Sequence, residues 1–79
     1  AVIPGEVMTP MYEKWLEGFK KPDEKLKQIT SRIPLEKRMT KVEELAMPIV
    51  FLLSQWAGHI TGQFLVVDGG YSHLDRALT

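Results

Sequence analysis

Four consecutive apolar residues, Phe64-Leu65-Val66-Val67, set the tightest limit on how this chain can fold. The run is too short for a helix of its own, and Asp68-Gly69-Gly70 stops it with a turn signal. It reads as a strand from Gln63 to Val67, and the lack of polar alternation means that neither face is built for water. Such a strand belongs in a parallel sheet with a covering layer on each side. At the other end of the chain Ala1 to Ile3 is also β-prone, and it stops at the turn-forming pair Pro4-Gly5.

Helical stretches lie between. Thr9 is suited to an N-cap, with Pro10 at the first helical position, where a missing N–H costs nothing. Met11, Trp15, Leu16 and Phe19 fall roughly on one face of 10–19. Pro22 opens a second short helix whose first turn carries Asp23 and Glu24, favourable to the dipole. Leu26 and Ile29 give it a narrow apolar stripe, and Lys20, Lys21, Lys25 and Lys27 around that stripe read as a solvated face. After the break at Ile33-Pro34-Leu35, Thr40-Lys41-Val42-Glu43 has the form of a capping box, Thr40 and Glu43 each satisfying an orphan N–H. The helix it opens is expected from about Lys41 to about Trp56. Val42, Leu45, Ala46, Ile49, Leu53 and Trp56 form its main stripe; Val50, Phe51 and Leu52 widen it, so its second half needs burial on more than one side. Pro48 removes one backbone bond and is expected to bend it. Tyr71 to Thr79 suits one helical turn with Leu74, Ala77 and Leu78 on a side.

Composition removes several function classes. Ten Lys+Arg against ten Asp+Glu give no electrostatic reason to expect nucleic acid or an anionic membrane. Without cysteine there are no disulfides, Cys-type zinc sites, iron–sulfur clusters or thiol nucleophile. No run approaches the ~18 apolar residues of a membrane span. Ala1-Val2-Ile3-Pro4-Gly5 lacks the basic-then-apolar form of a signal peptide, so a cytoplasmic location is expected. His59 and His73 have no partners at ligand spacing, so no metal site is expected.

Two short strands cannot satisfy a parallel sheet's edges, and one strongly apolar helix with two short ones cannot supply both layers. The chain is therefore expected to be the C-terminal part of a larger α/β domain. The alternative is a small α+β domain stabilised by oligomerisation.

The order of motifs is specific. Pro4-Gly5-Glu6-Val7-Met8-Thr9-Pro10 follows a strand; Ile33-Pro34-Leu35 and Arg38 precede a helix carrying Glu43-Glu44-Leu45-Ala46 and Phe51-Leu52-Leu53-Ser54; Ile60-Thr61-Gly62-Gln63 and Val67-Asp68-Gly69-Gly70 close the pattern. Over nearly its whole length the chain resembles the C-terminal third of a short-chain dehydrogenase/reductase. The resemblance implies residues 1–79 of one doubly wound Rossmann-type domain whose N-terminal part is absent: the end of the sixth strand, substrate-covering helices over 10 to about 34, the last large helix and the seventh strand. It implies NAD or NADP as cofactor and a homotetramer or dimer, with the last helix and seventh strand at a two-fold interface. The family's Gly-rich phosphate turn and its Ser, Tyr and Lys catalytic groups lie upstream, so no catalytic residue is expected here. Glu6 to Pro10, Trp15 and the ending Asp68-Gly69-Gly70-Tyr71-Ser72-His73-Leu74-Asp75-Arg76-Ala77-Leu78 look like bacterial L-fucose dehydrogenases and similar aldose dehydrogenases. Pro48 and Trp56-Ala57-Gly58 depart from the family pattern, in packing rather than chemistry.

The resemblance also implies site residues. Pro4-Gly5 ends a strand at the ligand crevice, the backbone of Val7 meets the nicotinamide carboxamide, and the Thr9 hydroxyl helps to bind it; Thr9 as a cap alone is the plainer reading. A carboxylate at Glu6 suits the hydroxyls of a polyol and would be costly beside an acyl chain, although a solvated loop Glu looks the same in sequence. Trp15 can stack on a sugar or simply belong to the core. Asp68 is expected to cap the Gly69-Gly70 turn. His73 with Asp75 is read as a contact to a neighbouring subunit or to the substrate loop, or, more plainly, as a surface tail. The expected activity of the intact protein is hydride transfer between nicotinamide and an alcohol or carbonyl carbon, with C1 oxidation of an aldose to a lactone as the specific form. A 3-oxoacyl thioester reductase and a non-catalytic assembly segment are the alternatives.

Overall fold

The computed structural model of the chain describes residues 1–73. Its elements are β1 (Val2–Pro4), α1 (Pro10–Glu17), α2 (Pro22–Thr30), α3 (Val42–Leu53), a 3₁₀ turn at Gln55–Ala57, β2 (Leu65–Val67) and a second 3₁₀ turn at Tyr71–His73. The two strands pair in parallel, with Val2 opposite Leu65, Ile3 opposite Val66 and Pro4 opposite Val67. The ladder continues past both ends. The Ala1 ammonium donates to the Gln63 carbonyl at 2.9 Å, and the Leu65 N–H donates to the Ala1 carbonyl at 2.9 Å. Pro4 has no N–H to give, and at that end the bond comes from the Gly5 N–H to the Val67 carbonyl at 3.1 Å.

Helix starts follow the sequence signals closely. The Tyr12 N–H donates to Thr9 Oγ1 at 3.1 Å, so Thr9 caps α1 with Pro10 behind it. The helix stops at Glu17 rather than Phe19 because Gly18 and Phe19 close back on Trp15 and Leu16 with tighter bonds of 3.2 and 3.1 Å. Tyr12, Trp15 and Phe19 form an aromatic row along α1. The ring centroids are 5.3 Å apart for the first pair and 4.8 Å for the second, both edge-on.

The start of α3 corrects the expected capping box by one residue. Thr40 is buried, and its backbone pairs with the segment after β1: its N–H donates to the Glu6 carbonyl and its carbonyl accepts from Met8, both at 3.0 Å. The N-cap is Lys41, and Glu44, not Glu43, reaches back to the Lys41 N–H at 2.9 Å. Because a lysine side chain cannot accept a hydrogen bond, only the reach-back half of the box forms. The helix ends at Leu53, before Trp56, where Ser54 turns extended and its hydroxyl donates to the Phe51 carbonyl. Pro48 lies inside without interrupting the helix. β2 is shorter than the expected strand by Gln63 and Phe64, and β1 is displaced by one residue from Ala1–Ile3.

Glu44 also anchors a clasp. Arg38 Nη1 and Nη2 donate to its two oxygens at 2.7 Å each, and Arg38 Nε donates to Glu36 at 3.0 Å. Glu36 and Lys37 are consecutive left-handed residues, φ 62° and 51°, a conformation that costs side-chain-bearing residues about 1–2 kcal/mol each. The clasp holds this turn closed and keeps the Arg38 guanidinium's pKa raised. The Arg38 bonds, and after them the Lys41 amide, hold the Glu44 carboxyl at about 2. A depressed carboxyl contributes above the ordinary glutamate value near ~4.3 and loses that contribution as pH falls through about 2. A carboxyl NMR titration of the intact protein should therefore place Glu44 near 2, and Arg38→Gln should return it toward the ordinary range; an ordinary midpoint in the wild type would break this account.

The core among the described residues is small: Leu16, Ile33, Met39 and Ala57, with Thr40 and Asp68 as buried polar side chains. α1 and α2 pack on each other, and α3 is the helix that packs on the sheet. α3 contributes no buried residue of its own, and Leu53, Trp56 and Phe64 are 84%, 82% and 74% exposed. The two-sided cover that the Phe64-Leu65-Val66-Val67 run calls for is present on one side only among the described elements. No helix of the described residues is long and apolar enough to cross a membrane. The part of the expected terminal turn that includes Leu74, Ala77 and Leu78, and the partner residue Asp75, lies outside the described residues.

Candidate cofactor and substrate site

Parallel pairing brings the C-terminal ends of β1 and β2 side by side, so the segments 5–9 and 68–71 leave the sheet together. In open α/β sheets this is where ligands bind. The contact between the two segments is close. A Cβ on Gly5 would stand 2.6 Å from Asp68 Cβ and 3.1 Å from Asp68 Cα, so only glycine fits.

Asp68 organises its own side of the site, as expected from the sequence. Its Oδ1 accepts the Gly70 N–H and its Oδ2 the Ser72 N–H, both at 2.8 Å, while Gly69 and Gly70 take φ of 64° and 89°. Burial pushes the Asp68 carboxyl up, but hydrogen bonds from Ser72 and Gly70 and the nearby His73 outweigh it, and the net shift is downward. His73 lies in the 3₁₀ turn that follows, and His59 is an exposed loop residue with φ 70°.

On the other side, Val7 pairs with Thr40 through its neighbours. The bonds run to the Glu6 carbonyl and from the Met8 N–H, so the N–H and C=O of Val7 itself point away from Thr40. Neither has a hydrogen-bond partner among the described residues. Thr9 Oγ1 accepts from the Tyr12 amide, which leaves its own O–H to donate outward. One donor, one acceptor and one hydroxyl donor along a single segment match a primary carboxamide, which carries an NH₂ and a C=O. The residues present therefore fit the nicotinamide end of a dinucleotide.

Glu6 lies between the two short helices. It lines a cleft of about 180 Å³ with Lys25, Gln28, Ile29 and Arg32 of the α2 region and with Tyr71. On its α1 side it faces Tyr12, whose phenol is pushed up to about 12, first by burial and then by the Glu6 carboxylate. Trp15, half exposed, belongs to the aromatic row rather than to this cleft. Sequence reading missed the cleft's α2 wall. The signal is the spacing 25, 28, 29, which puts those residues on one face of α2 with Arg32 in the turn just beyond its end, whereas the lysines around them read as a solvated surface.

A family model described as enoyl-(acyl carrier protein) reductase matches residues 1–72. The chain belongs to the short-chain dehydrogenase/reductase family. An L-rhamnose 1-dehydrogenase (NAD(P)(+)) from Azotobacter vinelandii is 43% identical over 70 residues, covering 89% of this chain and 25% of the relative. A 3-oxoacyl-[acyl-carrier-protein] reductase from Thermotoga maritima is also 43% identical over 70 residues, covering 89% of this chain and 26% of the relative. Among solved structures, the Cj0485 dehydrogenase superposes with a TM-score of 0.93 at 56% identity, covering 98% of this chain and 30% of that one. The chain thus spans about a quarter of these curated relatives, and membership of the family fixes the α/β character of its small parallel sheet.

Proposed function

We propose that the intact protein is an NAD(P)-dependent oxidoreductase that oxidises an aldose at C1 to a lactone. In this reading β1 and β2 are the sixth and seventh strands of a doubly wound sheet, and residues 10 to about 34 cover the substrate. α3 and β2 carry a two-fold interface of a dimer or tetramer. The observation that carries the substrate class is Glu6: a carboxylate beside the strand ends, in a cleft whose other polar walls are Lys25, Gln28, Arg32 and Tyr71.

The roles follow from the donor set. Val7 holds the carboxamide through its N–H and C=O, and the Thr9 hydroxyl adds a third bond, so the nicotinamide is fixed in rotation about its ring axis. Pro4 and Gly5 set the position of that segment: Pro4 ends the strand, and Gly5 lets it approach Asp68. Glu6 accepts hydrogen bonds from two ring hydroxyls and so orients the sugar. The bound dinucleotide supplies the hydride acceptor. As C1–H leaves as hydride, the C1 hydroxyl loses its proton and C1–O becomes the lactone C=O; the groups that take this proton are assigned outside residues 1–79.

The Thermotoga relative favours a second reading, reduction of a 3-oxoacyl thioester by the same family machinery. The two separate on Glu6. Glu6→Gln keeps the shape and loses the charge-assisted bonds, about 1.5–3 kcal/mol, so kcat/KM on an aldose should fall about tenfold to a hundredfold with cofactor KM unchanged. Thr9→Val should instead weaken the cofactor for any substrate. A wild type that prefers the thioester, or sugar turnover indifferent to Glu6→Gln, overturns the aldose reading.

A further inference from the structure

The cleft beside Glu6 has a second wall to which no role has yet been given. Lys25, Gln28, Ile29 and Arg32 recur at i, i+3, i+4 and i+7 along the α2 region and line the cleft together. Three of the six lining residues have fixed anchors. The Glu6 carbonyl accepts from Thr40, the Tyr71 N–H donates to the Asp68 carbonyl at 3.3 Å, and Lys25 Nζ sits 5.1 Å from the centre of the Phe19 ring, joining α2 to α1.

The chemistry of the walls is divided. Glu6 only accepts, Lys25 and Arg32 only donate, and Gln28 and Tyr71 do both. The opposite charges do not neutralise each other: among the described residues no ion pair joins Glu6 to Lys25 or Arg32, so the walls stand apart across the cleft. Its volume of about 180 Å³ is below the roughly 300–1,000 Å³ of sites for drug-sized ligands, so it suits one small molecule. An acyl chain would desolvate these polar groups and gain little beyond Ile29. A simple carboxylate would meet Glu6. Several hydroxyls, each both donor and acceptor, satisfy both walls at once.

We propose that Gln28 and Arg32, with Lys25 beside them, form the second half of a polyol site, donating to the ring hydroxyls remote from the reacting carbon while Glu6 accepts from those near it. This rests on the aldose reading and assigns to α2 the choice among sugars. A positioning role through the fold alone would weaken all sugars alike, whereas a direct bond is lost only when its hydroxyl is present.

The test uses the intact protein with L-rhamnose and D-glucose, and with the 2-, 3- and 4-deoxy derivatives of whichever is turned over. Arg32→Gln and Gln28→Ala should each lower kcat/KM on the parent sugar about tenfold, mainly through KM. On one deoxy derivative, the one lacking the hydroxyl that residue reads, each variant should match the wild type within about twofold. Equal losses on every sugar, or no loss in either variant, overturn the proposal while leaving the aldose reading in place if Glu6→Gln is impaired. If neither sugar is oxidised and a 3-oxoacyl thioester is reduced, both fall together.

Discussion

Expressed by itself, the 79-residue chain will not give a folded monomer. Four buried apolar side chains among the described residues are a small core, and several large apolar residues lie well outside it: Leu53 at 84%, Trp56 at 82%, Met11 at 81% and Phe64 at 74% exposure. Each large side chain left in water forgoes roughly 1.5–3 kcal/mol of burial, while every ordered residue still loses about 1–2 kcal/mol of backbone entropy. The two-stranded sheet adds open edges, which recruit other chains rather than stay solvated. Contiguous apolar surface of this kind is covered by other protein in stable structures. Circular dichroism should show no cooperative thermal transition, and sedimentation should show association that grows with concentration. A monomer with a sharp two-state melt would overturn the prediction and, with it, the expectation that α3 and β2 are covered by further parts of a larger domain.

The parts of this fold legible in the sequence are those decided by a few neighbouring residues. Thr9-Pro10 starts α1 and Pro22 starts α2 because cap and first turn are local chemistry. Asp68 folds its turn because its carboxylate meets amides two and four residues on. The misplaced start of α3 comes from partners distant in sequence. Thr40 looks like an N-cap until its backbone is found paired with Glu6 and Met8, which moves the N-cap to Lys41, starts the helix at Val42 and hands the reach-back bond to Glu44. The same distance hid half of the candidate site. The Pro4 to Thr9 segment announces itself by its motif, whereas Lys25, Gln28 and Arg32 acquire a role only once α2 is seen to face Glu6. Family membership was legible because it rests on the order of motifs, and order survives ignorance of contacts.

Gly5→Val in the intact protein should be strongly damaging, and it should damage stability and cofactor binding together. Left-handed backbone is not the reason, for Gly5 is not among the positive-φ glycines. The reason is the 2.6 Å from an added Cβ to Asp68 Cβ and the 3.1 Å to its Cα, where backbone rather than a flexible side-chain end must move. Overpacking of this kind costs about 1–3 kcal/mol. Moving Asp68 also disturbs its bonds to Gly70 and Ser72, about 1.5–3 kcal/mol each where a charge accepts. A combined loss of at least about 4 kcal/mol corresponds to a Tm lower by at least roughly 8–16 °C for a domain of 150–250 residues. Gly18→Ala is the control, since its Cβ would meet only the Trp15 carbonyl at 3.3 Å. The pH dependence gives a second signature. Asp68 has a lowered carboxyl, so its contribution is present above the ordinary aspartate value near ~3.9 and is lost as pH falls through its lower folded value. The Tm gap between wild type and Gly5→Val should therefore narrow as the solution is taken below pH ~4. Because Val7 and Thr9 follow on the same segment, the nicotinamide dinucleotide should bind at least about tenfold more weakly. A Gly5→Val protein with unchanged Tm and cofactor affinity would show that the strand ends can part without consequence, and the site as built from Gly5, Val7, Thr9 and Asp68 would not stand.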